Sequence, residues 1–254
     1  MYDLQKASFW KRISAYLFDF ILLGILAVGV AWLMSTVLGF DTHTKKMDEF
    51  YTYYEEEYGI KIDITQEEFE KLTEEELKYR EEVDKIMQAD KELQDCYSLI
   101  VYLTLIIVTF GLLVAFVVLE FLVPLLFGNG QTLGKKIFGI GVMQVTGVKA
   151  TRFSLFVRAI FGKFTIETMM PVLFILLLFF GAGGLFYITL IFILLVSQIS
   201  MIIFSSTNSA IHDKLSSTVV IDMASQMIFD SNEDLLAYKK RLAQEKAEKS
   251  GYAD

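Results

Sequence analysis

Four stretches of this chain are apolar over lengths that suit a lipid bilayer: residues 13–39, 98–127, about 166–181 and 184–204. A helix rises ~1.5 Å per residue, so ~20 residues cross a ~30 Å hydrocarbon core. The first two stretches are long enough to span with room to tilt. Trp10 and Trp32 lie twenty-two residues apart, ~33 Å along a helix, which suits two interfacial anchors of one span. The last two stretches run together from Ile166 to Phe204, broken by the GAGG of 181–184. That length is about twice one span, so two short helices joined by a glycine turn are expected, with one long tilted helix as the alternative. The first stretch exceeds a signal-peptide core and no A-x-A-like cleavage site follows it, so it reads as an uncleaved anchor.

The charges are divided between two regions. Residues 41–95 hold nineteen Asp/Glu against eight Lys/Arg, whereas the rest holds twelve acids against fifteen bases. The acidity therefore belongs to one insert, and nothing in the remainder calls for nucleic acid. Lysines and arginines cluster before the first span (Lys6, Lys11, Arg12), after the second (Lys135, Lys136, Lys149, Arg152, Arg158, Lys163) and after the fourth (Lys214, Lys239, Lys240, Arg241). The positive-inside rule places all three groups in the cytoplasm, with both termini inside and the insert outside.

The insert reads as a helical hairpin. Met47, Phe50, Tyr51, Tyr54 and Tyr58 recur at helical spacing, and Gly59 ends that helix. Thr65 and Glu68 make a capping-box pattern for a second helix. Phe69, Leu72, Tyr79, Val83, Ile86, Leu93 and Tyr97 then follow three- and four-residue steps, a short coiled-coil stripe interrupted by Glu76 and Asp90. The two stripes either pack on each other or offer a surface to a partner protein.

On the inner side, Phe153, Phe156, Val157, Ile160, Phe161 and Phe164 fall largely on one face of a helix over residues 151–165, with Arg152, Arg158 and Lys163 off it. This is the pattern of an amphipathic helix lying in the membrane interface. IFGIGVMQV (137–145) and STVVI (217–221) are the two β-prone runs, and are expected to pair as a small cytosolic ribbon that brings Asp213 toward Arg12. The GNGQTLGKK of 128–136 is no P-loop, because three residues rather than four separate Gly130 from Gly134 and a lysine follows Lys135. Cys96 is the only cysteine, and His43 and His212 are far apart, so neither a disulfide nor a metal site is expected. No nucleophile elbow, HExxH or paired-histidine pattern is present, so neither catalytic residues nor a cofactor are expected.

RISAYLFDF opens the first span, GQTLGKKIFGIGV follows the second and NSAIHDKLSSTVVI follows the last. In this order and context the three segments resemble the RDD family of bacterial polytopic membrane proteins, named for one arginine and two aspartates. The matching residues are Arg12, Asp19 and Asp213, with Gly130, Gln131, Thr132, Gly134 and Lys135 in the GQTLGK segment. The resemblance covers roughly residues 7–40 and 98–222. It implies a multi-pass protein of the bacterial cell membrane with a transport role; sodium- or lithium-for-proton exchange has been proposed for one member.

The expected architecture is a mainly α integral membrane protein. It comprises a four-helix transmembrane bundle, an interfacial helix, a small cytosolic β-ribbon and an extracytoplasmic helical hairpin. The segments are 1–40 (N-terminus and first span), 41–97 (insert), 98–222 (remaining membrane region) and 223–254 (charged cytosolic tail).

Intramembrane charges carry the functional expectation. Asp19 and Glu120 are placed at a similar depth on antiparallel neighbours, where two carboxylates share a proton or hold a cation. Against this, Asp19 bonds to Arg158 or to a hydroxyl and merely locks the bundle. Asp213 either caps a turn or pairs with Arg12, and His212 beside it is a candidate proton shuttle. Glu167 and Gln198 are further polar positions, or helix-contact glue. The leading reading is proton-coupled exchange of a monovalent cation, or transport of another small ligand, by a homo-oligomer in the lipid bilayer. The alternative is a non-catalytic scaffold subunit whose outer hairpin binds a partner protein.

Overall fold

In a computed structural model, residues 5–179, 184–205 and 207–251 are described. Among the described residues, four helices are long and apolar enough to cross a membrane: Phe9–Val37, Lys91–Phe127, Arg152–Phe179 and Gly184–Phe204. They are called the first to fourth spans below. With no water in the bilayer core, a helix satisfies every backbone group internally. The exposed faces suit lipid: Leu17, Ile21, Ile25 and Val28 of the first span point outward, as do Trp10 and Trp32. The GAGG turn lies largely outside the described residues, but the helices on either side of it are separate elements in contact.

Two spans depart from α geometry. The second contains an i→i+5 segment, Val117–Leu122, and the third a longer one, Val157–Met169. The interfacial helix expected over 151–165 is not a separate element. It forms the first half of the third span, and Arg158 and Lys163 are buried rather than turned to headgroups. The reason is geometric. On an α-helix, residues nine apart stand on opposite faces. An i→i+5 helix has slightly more than four residues per turn, so nine residues make close to two full turns. Arg158, Lys163 and Glu167 are thereby brought toward one side. α-Helical periodicity scatters these three charges, which is why the sequence pattern suggested a charged outer face.

The chain forms two compact units, residues 1–27 with 112–254, and residues 28–111. In the first, Leu23, Ala27, Ala115, Phe116, Phe164 and Met169 make an apolar core. Strand β1 (Ile140–Gln144) pairs antiparallel with β2 (Thr218–Asp222), Val142 opposite Val220. This is the expected ribbon. The residues ahead of the first span extend it, with the Ala7 N–H donating to the Val220 carbonyl and Lys11 bonded to Asp222 at 2.6 Å.

In the second unit, helix Phe40–Tyr58 ends at Gly59, whose φ of 63° is left-handed. Met47, Tyr54, Leu93 and Cys96 form its core. The coiled-coil stripe expected from Phe69 to Tyr97 is not continuous. Helix Gln66–Phe69 carries the Thr65–Glu68 capping box, a second box of Thr73 with Glu76 starts Glu74–Ala89, and Asp90 separates that helix from the second span. Val83 and Leu93 are buried, whereas Phe69, Tyr79, Ile86 and Tyr97 are exposed. The interruptions at Glu76 and Asp90 are caps. Asp90 accepts the backbone N–H groups of Glu92 and Leu93 and the Tyr54 hydroxyl at 2.8 Å. Burial, then this bond to Asp90, pushes the Tyr54 phenol up to about 12.

Candidate functional site

The ionisable residues converge inside the first unit, around a cavity of about 470 Å³. Six segments supply its polar wall: the start of the first span (Arg12, Asp19), the short helix Leu133–Ile137 (Lys135), the third span (Arg158, Lys163, Glu167), the fourth span (Gln198), the loop after it (Asn208) and the short helix Ile211–Leu215 (His212).

Asp19 is a cap. Its Oδ1 accepts the Gly134 backbone N–H at 2.7 Å, and its Oδ2 accepts the Thr132 hydroxyl. Thr132 itself caps the short helix, its Oγ1 accepting from the Lys135 backbone N–H and from Lys135 Nζ, each at 3.3 Å. Only glycine fits at 134, since a Cβ there would collide with the Ala15 carbonyl and lie 3.0 Å from the Asp19 carboxylate. Gln131 fixes the preceding loop by donating to the Ile140 carbonyl at 2.9 Å. Gly130 adopts a left-handed φ of 62° beside Val142.

Glu120 is paired elsewhere. Lys163 donates to its Oε1, and Lys135 Nζ stands 4.0 Å from its Oε2. The expected carboxylate pair between Asp19 and Glu120 is therefore replaced by a relay, Asp19–Thr132–Lys135–Glu120–Lys163. Two bare carboxylates repel, whereas interposing an ammonium stabilises both. Burial chiefly, then the neighbouring Lys163, pulls the Lys135 ammonium down to about 7.

Asp213 is wholly buried. It accepts from Arg158, from Arg12 at 3.2 Å and from the Ala210 backbone N–H at 3.1 Å. It thus both caps its helix and pairs with Arg12. Arg158, offered above as a partner for Asp19, belongs to Asp213 and to the Thr218 hydroxyl at 2.9 Å. Burial alone would raise the Asp213 carboxyl, but the guanidinium groups of Arg158 and Arg12 outweigh it and hold the group far below the usual carboxylate range. Arg12 also donates to the Asn208 carbonyl at 2.6 Å.

His212 faces Glu167, with Nδ1 2.8 and 2.7 Å from its two oxygens, and the His212 backbone N–H also donates to Glu167. Burial lowers the imidazole pKa, so the neutral ring donating from Nδ1 is the favoured form. Gln198 accepts the Ile211 N–H at 3.2 Å and so ties the fourth span to this helix. The helix approaches the third span closely at Gly162, where a Cβ would lie 2.5 Å from His212 Cβ.

A model of the RDD family matches residues 6–217 of this sequence. The chain belongs to the RDD family. Among curated proteins and among solved structures, none matches it. In this RDD protein the arginine and the two aspartates of the sequence resemblance do not meet at one point. Arg12 and Asp213 bond directly, while Asp19 holds the GQTLGK segment against the first span.

Lys163 and Thr218 belong to this network without a sequence signal that singles them out. Lys163 was legible only as a basic residue beside the inner face, and Thr218 only as part of a β-prone run. The i→i+5 geometry that turns Lys163 inward leaves no mark in α-helical periodicity.

The cap on the short helix sets an expectation for Asp19→Asn. The amide accepts the Gly134 N–H and turns its NH₂ to Thr132, so shape is kept and a charge-assisted component is lost. A loss of about 1–2 kcal/mol is expected in thermal denaturation of the purified protein. Asp19→Leu, which leaves both donors unanswered, should cost more than Asp19→Asn.

Proposed function

We propose that this RDD protein transports a small ligand through the cavity of its membrane unit, with proton movement carried by the His212–Glu167 pair. The observation that carries this reading is the gathering of ionisable side chains from four segments around one cavity among membrane-spanning helices. Intramembrane charge is expensive and tends to mark a substrate or ion path. π-Helical segments are frequent at functional sites, and here they deliver Glu120, Arg158, Lys163 and Glu167. The working unit is a homo-oligomer in the bacterial cell membrane, with both termini and the ribbon on the cytoplasmic side by the lysine and arginine distribution. It does no covalent chemistry.

Exchange of a bare monovalent cation is the weaker form of the reading. A cation needs free carboxylate or carbonyl oxygens. Both wall carboxylates are engaged by N–H and O–H donors, Asp19 by Thr132 and Gly134 and Glu167 by His212.

Alternating access supplies a test that needs no ligand. Cys96 is the single thiol and is buried, bonding to the His43 carbonyl at 3.7 Å. In a Cys96→Ser background, Ile202→Cys puts a thiol on the cavity wall. A membrane-impermeant maleimide is expected to label it from either face of sealed vesicles, because a carrier opens to both sides. Labelling from one face only, under every condition tried, would remove the transport reading.

A second reading draws on the acidic unit 28–111, which has its own core of Met47, Tyr54, Leu93 and Cys96. Such a unit suits a scaffold that docks a basic partner outside the membrane. One-sided labelling together with a partner that co-purifies through this unit would favour it.

A further inference from the structure

The cavity wall is charged unevenly. Among the described residues, four basic side chains line it, Arg12, Lys135, Arg158 and Lys163, against two carboxylates, Asp19 and Glu167, so the balance stays positive even where Lys135 has shed its proton. The remaining counter-charges, Asp213 and Glu120, stand behind the wall, each buried by the cations it pairs with. His212 adds no charge in its neutral form. The surface presented to a ligand is therefore cationic even though the surrounding network contains as many acids as bases.

The wall also has donors to give. Arg158 carries five N–H donors and commits Nη1 to Asp213 and Thr218. Among the described residues, no buried side-chain nitrogen or oxygen lacks a partner, so its remaining donors open on the cavity it lines. Lys163 and Lys135 each have three N–H donors, and each Nζ has one hydrogen-bonded partner, Glu120 and Thr132 respectively. The wall carboxylates already accept protein donors at both oxygens, Asp19 from Thr132 and Gly134 and Glu167 from His212.

The rest of the lining is apolar. Ile191, Leu194, Leu195 and Ile202 of the fourth span line the cavity, as do Ile166 and Pro171 of the third. No residue of the fourth span is buried. A ligand with an alkyl chain reaches such a site sideways from the bilayer and leaves its chain among these residues. The volume is within the ~300–1,000 Å³ of small-molecule sites.

We infer that this cavity takes an anionic amphiphile, a phosphate or carboxylate head on an alkyl chain, with the head against Arg158, Lys135 and Lys163 and the chain along the fourth span. The inference names the ligand class of the transport reading and rests on it. Arginine supplies the fork that matches either oxyanion, and two ammonium groups add charge without fixing direction. The same surface rejects a cationic amphiphile of equal chain length.

The test is retention of a single-chain probe by the full-length protein, purified in a neutral detergent and weighed by native mass spectrometry. One dodecyl phosphate per chain is expected, at an affinity at least tenfold above that for dodecyltrimethylammonium and for inorganic phosphate. Leu194→Trp fills the chain-binding part without touching a charge and should abolish retention while leaving the ligand-free melting temperature unchanged. Phe192→Trp, on the exposed side of the same span, should retain the probe as wild type does. Displacement by phosphatidylglycerol but not by phosphatidylcholine would support the inference and give the bilayer as the ligand's source. Displacement by dodecanoate alone of these competitors would also support it and give a free amphiphile. Equal retention of the cationic probe, binding of inorganic phosphate as tight as that of dodecyl phosphate, or indifference to Leu194→Trp would each overturn it. Retention with one-sided labelling at Ile202→Cys would keep the ligand assignment and remove transport, so the two failures are distinct.

Discussion

Asp213→Asn should be among the most damaging single substitutions in this protein, lowering stability by about 3–5 kcal/mol. The carboxylate is wholly buried between Arg158 and Arg12 and accepts the Ala210 N–H. An amide keeps the shape but leaves two guanidinium groups facing a neutral oxygen, and an uncompensated buried charge is the costly outcome of breaking such a pair. For a chain of this length the loss corresponds to a melting temperature lower by roughly 10 °C, readable by thermal denaturation in detergent. The pH dependence has a definite sign. The folded Asp213 pKa is depressed, so its contribution is fully present above the ordinary aspartate pKa of about 4 and is lost as pH falls further. The gap between wild type and Asp213→Asn should therefore be constant from pH 8 to 5 and shrink below about 4. A gap that stays open under acid would mean that the substitution acts through packing rather than charge.

Much of this architecture was legible from chain physics, because lipid permits few solutions. Helices long enough to cross, a paired ribbon at β-prone runs and an Arg12–Asp213 contact follow from hydropathy, Val- and Ile-rich composition and the need to pair charge. What was not legible depends on helix pitch. Reading Val157–Met169 as an α-helix gives an amphipathic stripe with its cations outward, whereas the i→i+5 ladder turns Arg158 and Lys163 inward. The same limit explains the expected Asp19–Glu120 pair. Depth along two helices can be counted from sequence, but rotation about each axis cannot. The rotation gives Asp19 to the GQTLGK backbone and Glu120 to two lysines. In the insert, Glu76 and Asp90 stood out as breaks in a seam, and each is a cap around which a helix starts.

Lys163→Met is expected to cost a similar 3–5 kcal/mol, and adding Glu120→Leu should restore most of it. The single change strands a buried carboxylate with only the 4.0 Å contact from Lys135. The double change removes both charges and fills the space with apolar side chains, which is often neutral or stabilising for a buried pair. Lys135 decides whether the rescue can be complete. Its ammonium is held down to about 7 in the wild type, chiefly by burial and then by Lys163; the double variant removes Lys163 together with Glu120, so burial is the main effect left on it. That depressed value has its own signature. Between about 7 and the ordinary lysine value near 10.4, the unfolded chain binds a proton that the folded one has released, so stability rises with pH across this window. Lys135→Met should flatten that rise while leaving the acid limb set by Asp213 in place. If the pair serves only packing, the double variant should also keep two-sided labelling at Ile202→Cys. If rearrangement of the ion pair opens the cavity, stability returns in the double variant and labelling from one face is lost. Restored stability with altered access would make Glu120 and Lys163 parts of the gate, because a purely structural pair has no reason to separate the two measurements.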